Sequence, residues 1–281
     1  MSRWAHALSL RSDVLLGGSR MTDDIQQEFK QQRISEIAAQ GEDASLKSLT
    51  RSWFDASCRH NYCYHFDWLS RPIIQFPQDV LAMQEILWRV KPDLVVECGI
   101  AHGGSLIFSA SMLAMIDYCA AAEAGVPLDP KAGASRVLGI DIDIRSPNRR
   151  AIESHPLSHK IEMIEGSSIA AETIERVRTF ASGFKNILVV LDSNHTHDHV
   201  LAELKAYASL TSVGSYCAVF DTAIEDMPAD MHGNRPWGPG NSPKTAVLEF
   251  LRDTNDFVID HEIDNKILIS ASTSGYLKRI A

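Results

Sequence analysis

Residues 94–105 constrain the fold more than any other stretch of this chain of 281 residues. They begin with Leu94-Val95-Val96, a short apolar run that is typical of a buried parallel strand. A carboxylate, Glu97, follows the run, and then comes a turn rich in small residues: Gly99, Ala101, Gly103 and Gly104. From Ser105 onward the sequence is apolar and compatible with a helix. A strand, a glycine-rich turn and a helix form the opening unit of a nucleotide-type α/β fold, in which the ligand binds at the carboxyl end of the strand.

The composition of this turn bears on the kind of ligand. A dinucleotide fold favours the spacing G-x-G-x-x-G, because the backbone must approach a pyrophosphate closely, and this turn has Ala101 at the second glycine position. S-adenosylmethionine (SAM) has an ammonium group instead of a phosphate, and the carboxylate of Glu97 suits that charge. The turn therefore favours SAM, with Gly99, Ala101, Gly103 and Ser105 as further contacts. A tight strand-to-helix turn without a ligand is the alternative interpretation.

Composition and charge narrow the class of protein. The net charge of −9 argues against non-specific binding to nucleic acid or to acidic membranes. No stretch approaches eighteen consecutive apolar residues, so we expect no membrane span. The first ten residues lack the apolar core and cleavage pattern of a signal peptide. Five cysteines without C-x-x-C spacing indicate reduced thiols, and hence a cytoplasmic protein.

Strands and helices alternate along most of the chain. Predicted strands cover 136–143, 161–167, 186–192 and 215–221, and predicted helices cover 23–40, 78–89, 169–181, 197–208 and 243–252. This alternation predicts a Rossmann-like, doubly wound and mostly parallel sheet. Two further strands, 257–263 and 266–272, are predicted as an antiparallel pair, which fits the seven-stranded methyltransferase topology.

Other segments set the domain organisation. Residues 1–20 are expected to form a loose tail, and Met21, before a good helix opening, is an alternative start of the chain. Aromatic residues in 41–72 are expected to pack on the main domain, with a cleft wall or an oligomer interface as alternatives. We therefore predict an N-terminal helical and aromatic extension over 1–70 and a SAM-dependent domain over 71–281. The Pro- and Gly-rich segment 223–242 is long enough to be functional or disordered.

Acidic residues end four of the predicted strands: Glu97, Asp141, Asp192 and Asp221. The carboxyl ends of parallel strands open on one edge of a sheet, so we expect these groups to converge there. Asp141 is in a suitable place to bind the ribose hydroxyls, and Ser167 or Ser168, after the third strand, is expected to meet the adenine.

Asp192 and Asp221 form a predicted metal site. Like charges in one place repel each other, so a cation is expected among them. Hard oxygen ligands suit Mg²⁺, which keeps open positions for water or substrate oxygens, and we expect Asp192 to contact the cofactor as well. The alternative is that these aspartates only cap the helices that follow them.

The run His195-Thr196-His197-Asp198-His199 lies just after Asp192. It resembles the H-x-H-x-D-H zinc motif of metallo-β-lactamase-like hydrolases, but that motif has one more residue between its second and third histidines, so a zinc site is disfavoured. An imidazole can act as a general base near neutral pH. His195 is therefore the predicted catalytic base, with His199 as a possible support one helical turn further on.

Four stretches of the sequence together resemble the cephalosporin hydroxylase family, whose members include rhamnosyl and antibiotic O-methyltransferases. The likeness spans about residues 50–270, and the stretches are 71–79, 97–105, 139–143 and 191–200. The family is similar in fold to catechol-type O-methyltransferases, which use SAM and Mg²⁺.

The resemblance implies roles for particular residues. Asp192 and Asp221 take the places of metal ligands, and His195 falls where the catechol enzymes have a lysine base. Thr222 takes the place of a third, amide ligand, and Phe220 stands where relatives carry an acid. Because of these two departures, Glu225 and Asp226 are alternative third ligands.

Together these features predict a SAM-dependent, Mg²⁺-assisted O-methyltransferase. The expected acceptor is a hydroxyl group of a sugar or of a small natural product, and a homo-oligomer is expected. Two other functions stay open on the sequence alone. One is an NAD-dependent oxidoreductase, and the other is a non-catalytic SAM-binding or scaffold subunit.

Overall fold

The computed structural model describes residues 18–281, with side chains from residue 25 onward. The predicted loose tail therefore lies almost entirely outside the described residues. The N-terminal part contains two helices, a short 3-10 turn and a two-stranded hairpin. Their bounds are α1 (Gly18–Glu42), α2 (Ala44–Cys58), the 3-10 turn Tyr62–His65, β1 (Phe66–Trp68) and β2 (Arg71–Ile73).

A seven-stranded sheet forms the centre of the structure. Its strands are β3 (Leu94–Cys98), β4 (Arg136–Asp141), β5 (Ile161–Glu165), β6 (Ile187–Leu191), β7 (Tyr216–Val219), β8 (Phe257–Ile259) and β9 (Tyr276–Arg279). They lie in the order β5-β4-β3-β6-β7-β9-β8. All pairs are parallel except those of β9, which is antiparallel to both of its neighbours. The predicted doubly wound sheet with one antiparallel strand is thus confirmed.

Helices cover both faces of this sheet. They are α3 (Pro77–Val90), α4 (Gly104–Ala124), α5 (Ser146–Glu153), α6 (Ala171–Ala181), α7 (His197–Tyr207), α8 (Pro243–Phe250) and α9 (His261–Ile267). Val95 packs in one apolar layer with residues of α3 and α4, whereas Leu94 and Val96 pack in the other with residues of α6, α7 and α8. Burial on both faces explains why the central strands are continuous apolar runs.

The helix α4 has the length and apolar composition that would allow it to cross a membrane. A helix buried in a protein core passes the same test. In this structure Leu106, Ile107 and Leu113 of α4 are fully buried in the layer that also contains Val95 of the central strand. Packing against the sheet therefore accounts for the apolar character of the first half of α4, residues 104–113.

The predicted strand pair at 257–263 and 266–272 is wrong in its second half. The first strand ends at Ile259, residues 261–267 form α9, and the last strand is 276–279. Ile263 and Ile267 are four residues apart, so a helix places both on the face that packs in the core layer shared with α3. Tertiary packing thus outweighs the strand preference of these β-branched residues.

Several aromatic residues of the N-terminal extension pack on the main domain. Phe54 of α2 stacks on Phe76 with ring centroids 5.0 Å apart. Tyr62 meets Phe66 edge to face at 5.0 Å. The same cluster includes Ala223, which lies two residues after Asp221. The extension therefore lies close to the carboxyl edge of the sheet, and the division at residue 70 stays a prediction.

The start of α4 offers a test of this packing. A Cβ on Gly104 would overlap the main-chain carbonyl group of Pro72 in β2. We expect Gly104→Ala to lower the free energy of unfolding by about 1–3 kcal/mol, the usual cost of an overpacked site. Gly183→Ala is the matched control, because its Cβ would lie 3.8 Å from the nearest atom, a carbonyl oxygen of Phe180. Chemical denaturation of both variants checks this, and equal stabilities would contradict the close approach of β2 to α4.

Candidate active site

The carboxyl ends of β3, β6 and β7 meet beside the point where the strand order reverses. From β3 the chain proceeds to β4 and β5 on one side, and β6 and β7 lie on the other side. Ligands of open α/β sheets bind in the crevice at such a switch point. The predicted residues Glu97, Asp192 and Asp221 all lie at this position, at the ends of β3, β6 and β7 respectively.

The turn after β3 is held against the end of β6. A Cβ on Gly99 would overlap the carbonyl oxygen of Asp192, and Gly99 has a φ of 100°, so only glycine fits there. Asp141 at the end of β4 fixes the same turn, because its Oδ2 accepts hydrogen bonds from the backbone N–H groups of Ile100 at 2.8 Å and Ala101 at 3.3 Å. Asp141 therefore organises the turn in this structure, and its predicted contact with a ribose stays a prediction.

Ala101 lies in the left-handed region, with a φ of 45°. This conformation is uncommon for a residue with a Cβ, and it persists only where the surroundings hold it. Asn148 of α5 donates from Nδ2 to the carbonyl oxygen of Ala101 at 2.8 Å. Arg71 donates from Nε to the carbonyl oxygen of the next residue, His102, at 3.0 Å. Neither contact was predicted, although Arg71 stands in a stretch that carries the family resemblance.

Gly103 does not border an open space where a ligand could bind. Its φ is 83°, and a Cβ would overlap the side chain of Ile152 in α5. Its N–H donates to the carbonyl oxygen of Ile100 at 2.7 Å. The position therefore faces the packing between the turn and α5, and substitution there would act through the shape of the turn.

Glu97 is a buried carboxylate with one unused oxygen. The side chain of this residue is within a fully buried strand, and the residue is 1% exposed. Ser105 donates its hydroxyl hydrogen to Oε1, and Oε2 has no hydrogen-bond partner within the described part of the chain. Burial raises the pKa of Glu97 to about 7, although the hydrogen bond from Ser105 opposes the shift. An acceptor left without a donor fits the ammonium group of SAM.

Asp192, His195 and Asp221 form a compact cluster. Each offers a ligand atom within 4.8 Å of those of the other two. His195 Nε2 lies 3.1 Å from Asp221 Oδ2. Burial, and then the nearby charge of Asp221, raise the pKa of Asp192 well above its usual range. A carboxylate whose charge is destabilised in this way, beside a second carboxylate, fits a bound cation.

The donor set of the cluster bears on the role of His195. Carboxylate oxygens suit Mg²⁺, whereas imidazole nitrogen suits Zn²⁺ and other transition metals. With Mg²⁺ held by Asp192 and Asp221, the imidazole of His195 is available to accept a proton. With a transition metal, His195 is itself a suitable ligand. The three residues therefore fit a divalent cation in both cases.

The predicted third ligand, Thr222, has its side chain elsewhere. Thr222 is fully buried, and its hydroxyl donates to the carbonyl oxygen of Thr273 at 2.7 Å. The alternatives are also engaged, since Glu225 accepts from Ser242 Oγ at 2.6 Å and Asp226 pairs with Lys244 at 2.6 Å. A residue's place after a strand does not fix where its side chain points, and here the third group beside the two aspartates is His195.

Ser168 is also turned away from its predicted role. Its hydroxyl donates to Oε1 of Glu203, a fully buried residue of α7, at 2.5 Å. Ser193, the residue after Asp192, donates to the same oxygen at 2.6 Å. His199 Nε2 lies 3.3 Å from this oxygen, so His199 contacts Glu203. The prediction that His199 supports His195 is therefore wrong. Ser167 is half-buried beside this cluster, and its contact with adenine stays a prediction.

The segment 223–242 brings an aromatic residue to the site. Trp237 meets His195 edge to face, with ring centroids 5.0 Å apart. Hydrogen bonds fix the end of this segment, because His197 N–H donates to Asn241 Oδ1 at 2.9 Å and Gly240 N–H donates to Glu225 Oε2 at 2.9 Å. The sequence left open whether this segment is functional or disordered, and the structure places its Trp237 beside the cluster. In the sequence, only the length of the segment indicated a functional role.

Known proteins are similar to this chain in sequence. Residues 60–280 match the family model described as Rhamnosyl O-methyltransferase/CmcI. A rhamnosyl O-methyltransferase of Mycobacterium tuberculosis H37Rv is 31% identical over 202 residues, which cover 72% of this chain and 73% of that protein. A rhamnosyl O-methyltransferase of Mycobacterium leprae strain TN is 27% identical over 214 residues, which cover 75% of this chain and 82% of that protein.

Solved structures agree on the fold. A ligand-free CmcI structure is 19% identical with a TM-score of 0.51, and it covers 78% of this chain and 77% of its own. A CmcI structure with Mg and SAM is 18% identical with a TM-score of 0.51, and it covers 78% of both chains. The resemblance that the sequence motifs indicated is confirmed: the chain belongs to the rhamnosyl O-methyltransferase/CmcI family.

Proposed function

We propose that this protein is a SAM-dependent O-methyltransferase, assisted by a divalent cation, whose acceptor is a hydroxyl group of a sugar or a small natural product. One observation carries the proposal. A buried carboxylate with an unused oxygen, Glu97, lies on the same sheet edge as the cluster of Asp192, His195 and Asp221. Membership of the family, and the name of its mycobacterial members, support a sugar hydroxyl as the acceptor.

Different residues of the site bind the cofactor and the cation. Glu97 receives the ammonium group, and the main chain of the turn at 99–104 shapes the pocket around the cofactor. Asp141 and Ser167 are proposed to face the ribose and the adenine. Asp192 and Asp221 hold the cation, and Asp192 also borders the cofactor.

When bound, SAM supplies an electrophilic methyl group, and the cation supplies Lewis-acid assistance and orientation for the acceptor hydroxyl. His195 accepts the proton that this hydroxyl loses. Trp237 packs against the imidazole ring and restricts its orientation. The site thereby combines a positioned acceptor with a nearby base, which is what methyl transfer to an alcohol requires.

Direct assays separate this function from the alternatives. Calorimetric titration with SAM and S-adenosylhomocysteine (SAH), followed by mass spectrometry of glycosides incubated with SAM and Mg²⁺, is the main experiment. Binding of NADH in place of SAM would favour the oxidoreductase, and SAM binding without methyl transfer to any glycoside would favour the scaffold subunit.

A cytoplasmic location and a homo-oligomer stay predictions. Five free thiols among the described residues support the cytoplasmic location.

Glu97 generates a prediction about stability as well as binding. The folded pKa of about 7 exceeds the ordinary value of 4.5, so the folded state binds more protons than the unfolded state between these values. The free energy of unfolding therefore falls as pH rises through this window. At 1.36 kcal/mol per pKa unit, the ionised carboxylate costs about 3 kcal/mol above pH 7.

We expect Glu97→Gln to be more stable than the wild type at pH 8 without ligand, with a smaller difference at pH 5. Its affinity for SAM should fall at least about tenfold, or 1.4 kcal/mol. Glu162→Gln, at an exposed position on β5, is the control and should change neither quantity. Chemical denaturation at both pH values and calorimetry provide the measurements. Wild-type affinity for SAM in Glu97→Gln would remove Glu97 from the cofactor site.

The metal ligands generate a second prediction. Asp192→Ala or Asp221→Ala should lose the turnover that Mg²⁺ stimulates, because each variant removes one of two carboxylate ligands. The melting temperature of Asp192→Ala should stay the same or rise, since the substitution also removes like-charge repulsion. Asp226→Ala is the control, because Asp226 is exposed and paired with Lys244. Full wild-type activity in excess EDTA would show that no metal is involved.

His195 generates a third prediction, which distinguishes a base from a ligand. If His195 is the base, His195→Ala lowers kcat by roughly 10²–10⁴-fold and leaves the half-saturating Mg²⁺ concentration and the SAH affinity unchanged. A control is His197→Ala, because His197 contacts Thr245 and Glu249 instead of the cluster. Turnover restored by saturating metal would instead identify His195 as a ligand and contradict its role as a base.

A further inference from the structure

Asp79 is a buried carboxylate that the proposed chemistry does not use. It lies in the first turn of α3 and is 0% exposed. Its carboxylate accepts three hydrogen bonds, from Ser270 Oγ at 2.6 Å, Ala271 N at 2.8 Å and Tyr276 Oη at 2.7 Å. Within the described residues no basic side chain forms an ion pair with it. Three donors and the positive end of the α3 dipole are what balance its charge.

The donors to Asp79 belong to one segment and to the strand that follows it. Residues 270–275, which we call the 270–275 strap, connect α9 to β9. Ser270 also accepts a hydrogen bond from the backbone N–H of Ser272 at 2.8 Å, so the side chain that contacts Asp79 also folds the strap. The other end is held by Asp264, whose carboxylate accepts from Ser274 N at 3.0 Å. Asp79 therefore fixes the start of the strap.

The strap in turn forms hydrogen bonds with residues before and after Asp221 in the sequence. Val219 N–H donates to the carbonyl oxygen of Gly275 at 2.8 Å, before Asp221. After Asp221, the Thr222 hydroxyl donates to the carbonyl oxygen of Thr273, and Ala223 N–H donates to that of Ala271 at 3.0 Å. One residue of the strap, Ala271, thus contacts Asp79 through its N–H and contacts Ala223, after Asp221, through its carbonyl oxygen.

Asp221 needs such support because of its backbone conformation. Its φ of 57° and ψ of 20° lie in the left-handed region. A residue with a Cβ adopts this region at an energetic cost, so the surrounding structure must hold it there. The direction of the Asp221 carboxylate toward Asp192 and His195 follows from this backbone conformation. Loss of the strap's position would release it.

We propose that Asp79 is a positioning residue that holds Asp221 in its metal-binding conformation through the 270–275 strap. The inference rests on the proposed function, because it takes Asp192 and Asp221 as cation ligands. A carboxylate is required at position 79, since it accepts at both oxygens. An asparagine would place an amide N–H₂ group against one of three donors, which leaves buried polar groups unsatisfied.

The test uses the whole protein and Mn²⁺ as the probe, measured as free Mn²⁺ by electron paramagnetic resonance. We expect Asp79→Asn to weaken Mn²⁺ binding about tenfold or more, as loss of supporting hydrogen bonds at metal sites does. SAH affinity, measured by calorimetry, should change less than about twofold. A variant that binds Mn²⁺ as the wild type does would overturn the inference.

A matched variant separates positioning from loss of stability. Asp93 also accepts backbone hydrogen bonds, from Asn186 N at 2.8 Å and Lys185 N at 3.0 Å, but it precedes β3 at the opposite edge of the sheet. Asp93→Asn should lower the melting temperature without changing Mn²⁺ affinity. Equal weakening of Mn²⁺ binding in both variants would overturn the inference, because it would reflect general destabilisation.

Two further measurements keep the outcome decisive. If Asp79→Asn does not fold, Ser270→Ala is used in its place, because it removes one hydrogen-bond donor from the strap. It should weaken Mn²⁺ binding by a smaller factor, and wild-type binding in that variant would overturn the inference.

The proposed function is judged separately, on the wild type and Asp221→Ala. Absence of Mn²⁺ binding that depends on Asp221 would refute the metal site itself, whereas such binding with no effect at position 79 refutes only the role of Asp79.

Discussion

The repulsion among carboxylates at one edge of a parallel sheet is the constraint on which the rest of the structure depends. Strand order brings several acids together, and each is compensated in a different way. Asp141 accepts backbone N–H groups of the glycine turn, and Asp79 accepts three donors. Among the described residues Glu97 accepts a hydrogen bond from Ser105 alone, and Asp192 and Asp221 have His195 beside them. The acids with complete hydrogen bonding hold the framework, and those with incomplete compensation are the ones available to ligands.

Much of the fold was predictable because the central strands are buried on both faces. Continuous apolar runs such as 94–96 and 187–191 have no other stable environment in a protein of this composition, and the acids that follow them mark the strand ends. The convergence of Glu97, Asp192 and Asp221 follows from the parallel arrangement alone. The prediction of the main site therefore required only strand order and the direction of the chain.

The remaining errors arise where a distant contact decides the local structure. Ile263 and Ile267 are β-branched like many strand residues, yet the core beside α3 makes them helical. The hydroxyl of Thr222 turns to the 270–275 strap, about fifty residues later in the sequence. Similarly, Ser168 bonds to Glu203 in a helix beyond the next strand. Hydrogen bonds between residues so far apart leave no periodic or spacing signal, so the ligand set and the supporting residues required the structure.

The shared oxygen of Glu203 has a consequence for movement within the site. Ser168 in the loop after β5 and Ser193 in the loop after β6 both donate to this one atom, from which the solvent is excluded. A displacement of either loop would strain or break a buried hydrogen bond that also restrains the other, at a cost of about 1–3 kcal/mol. The two loops therefore behave as one mechanical unit. The position of one loop is thereby coupled to the position of the other through a single buried carboxylate oxygen.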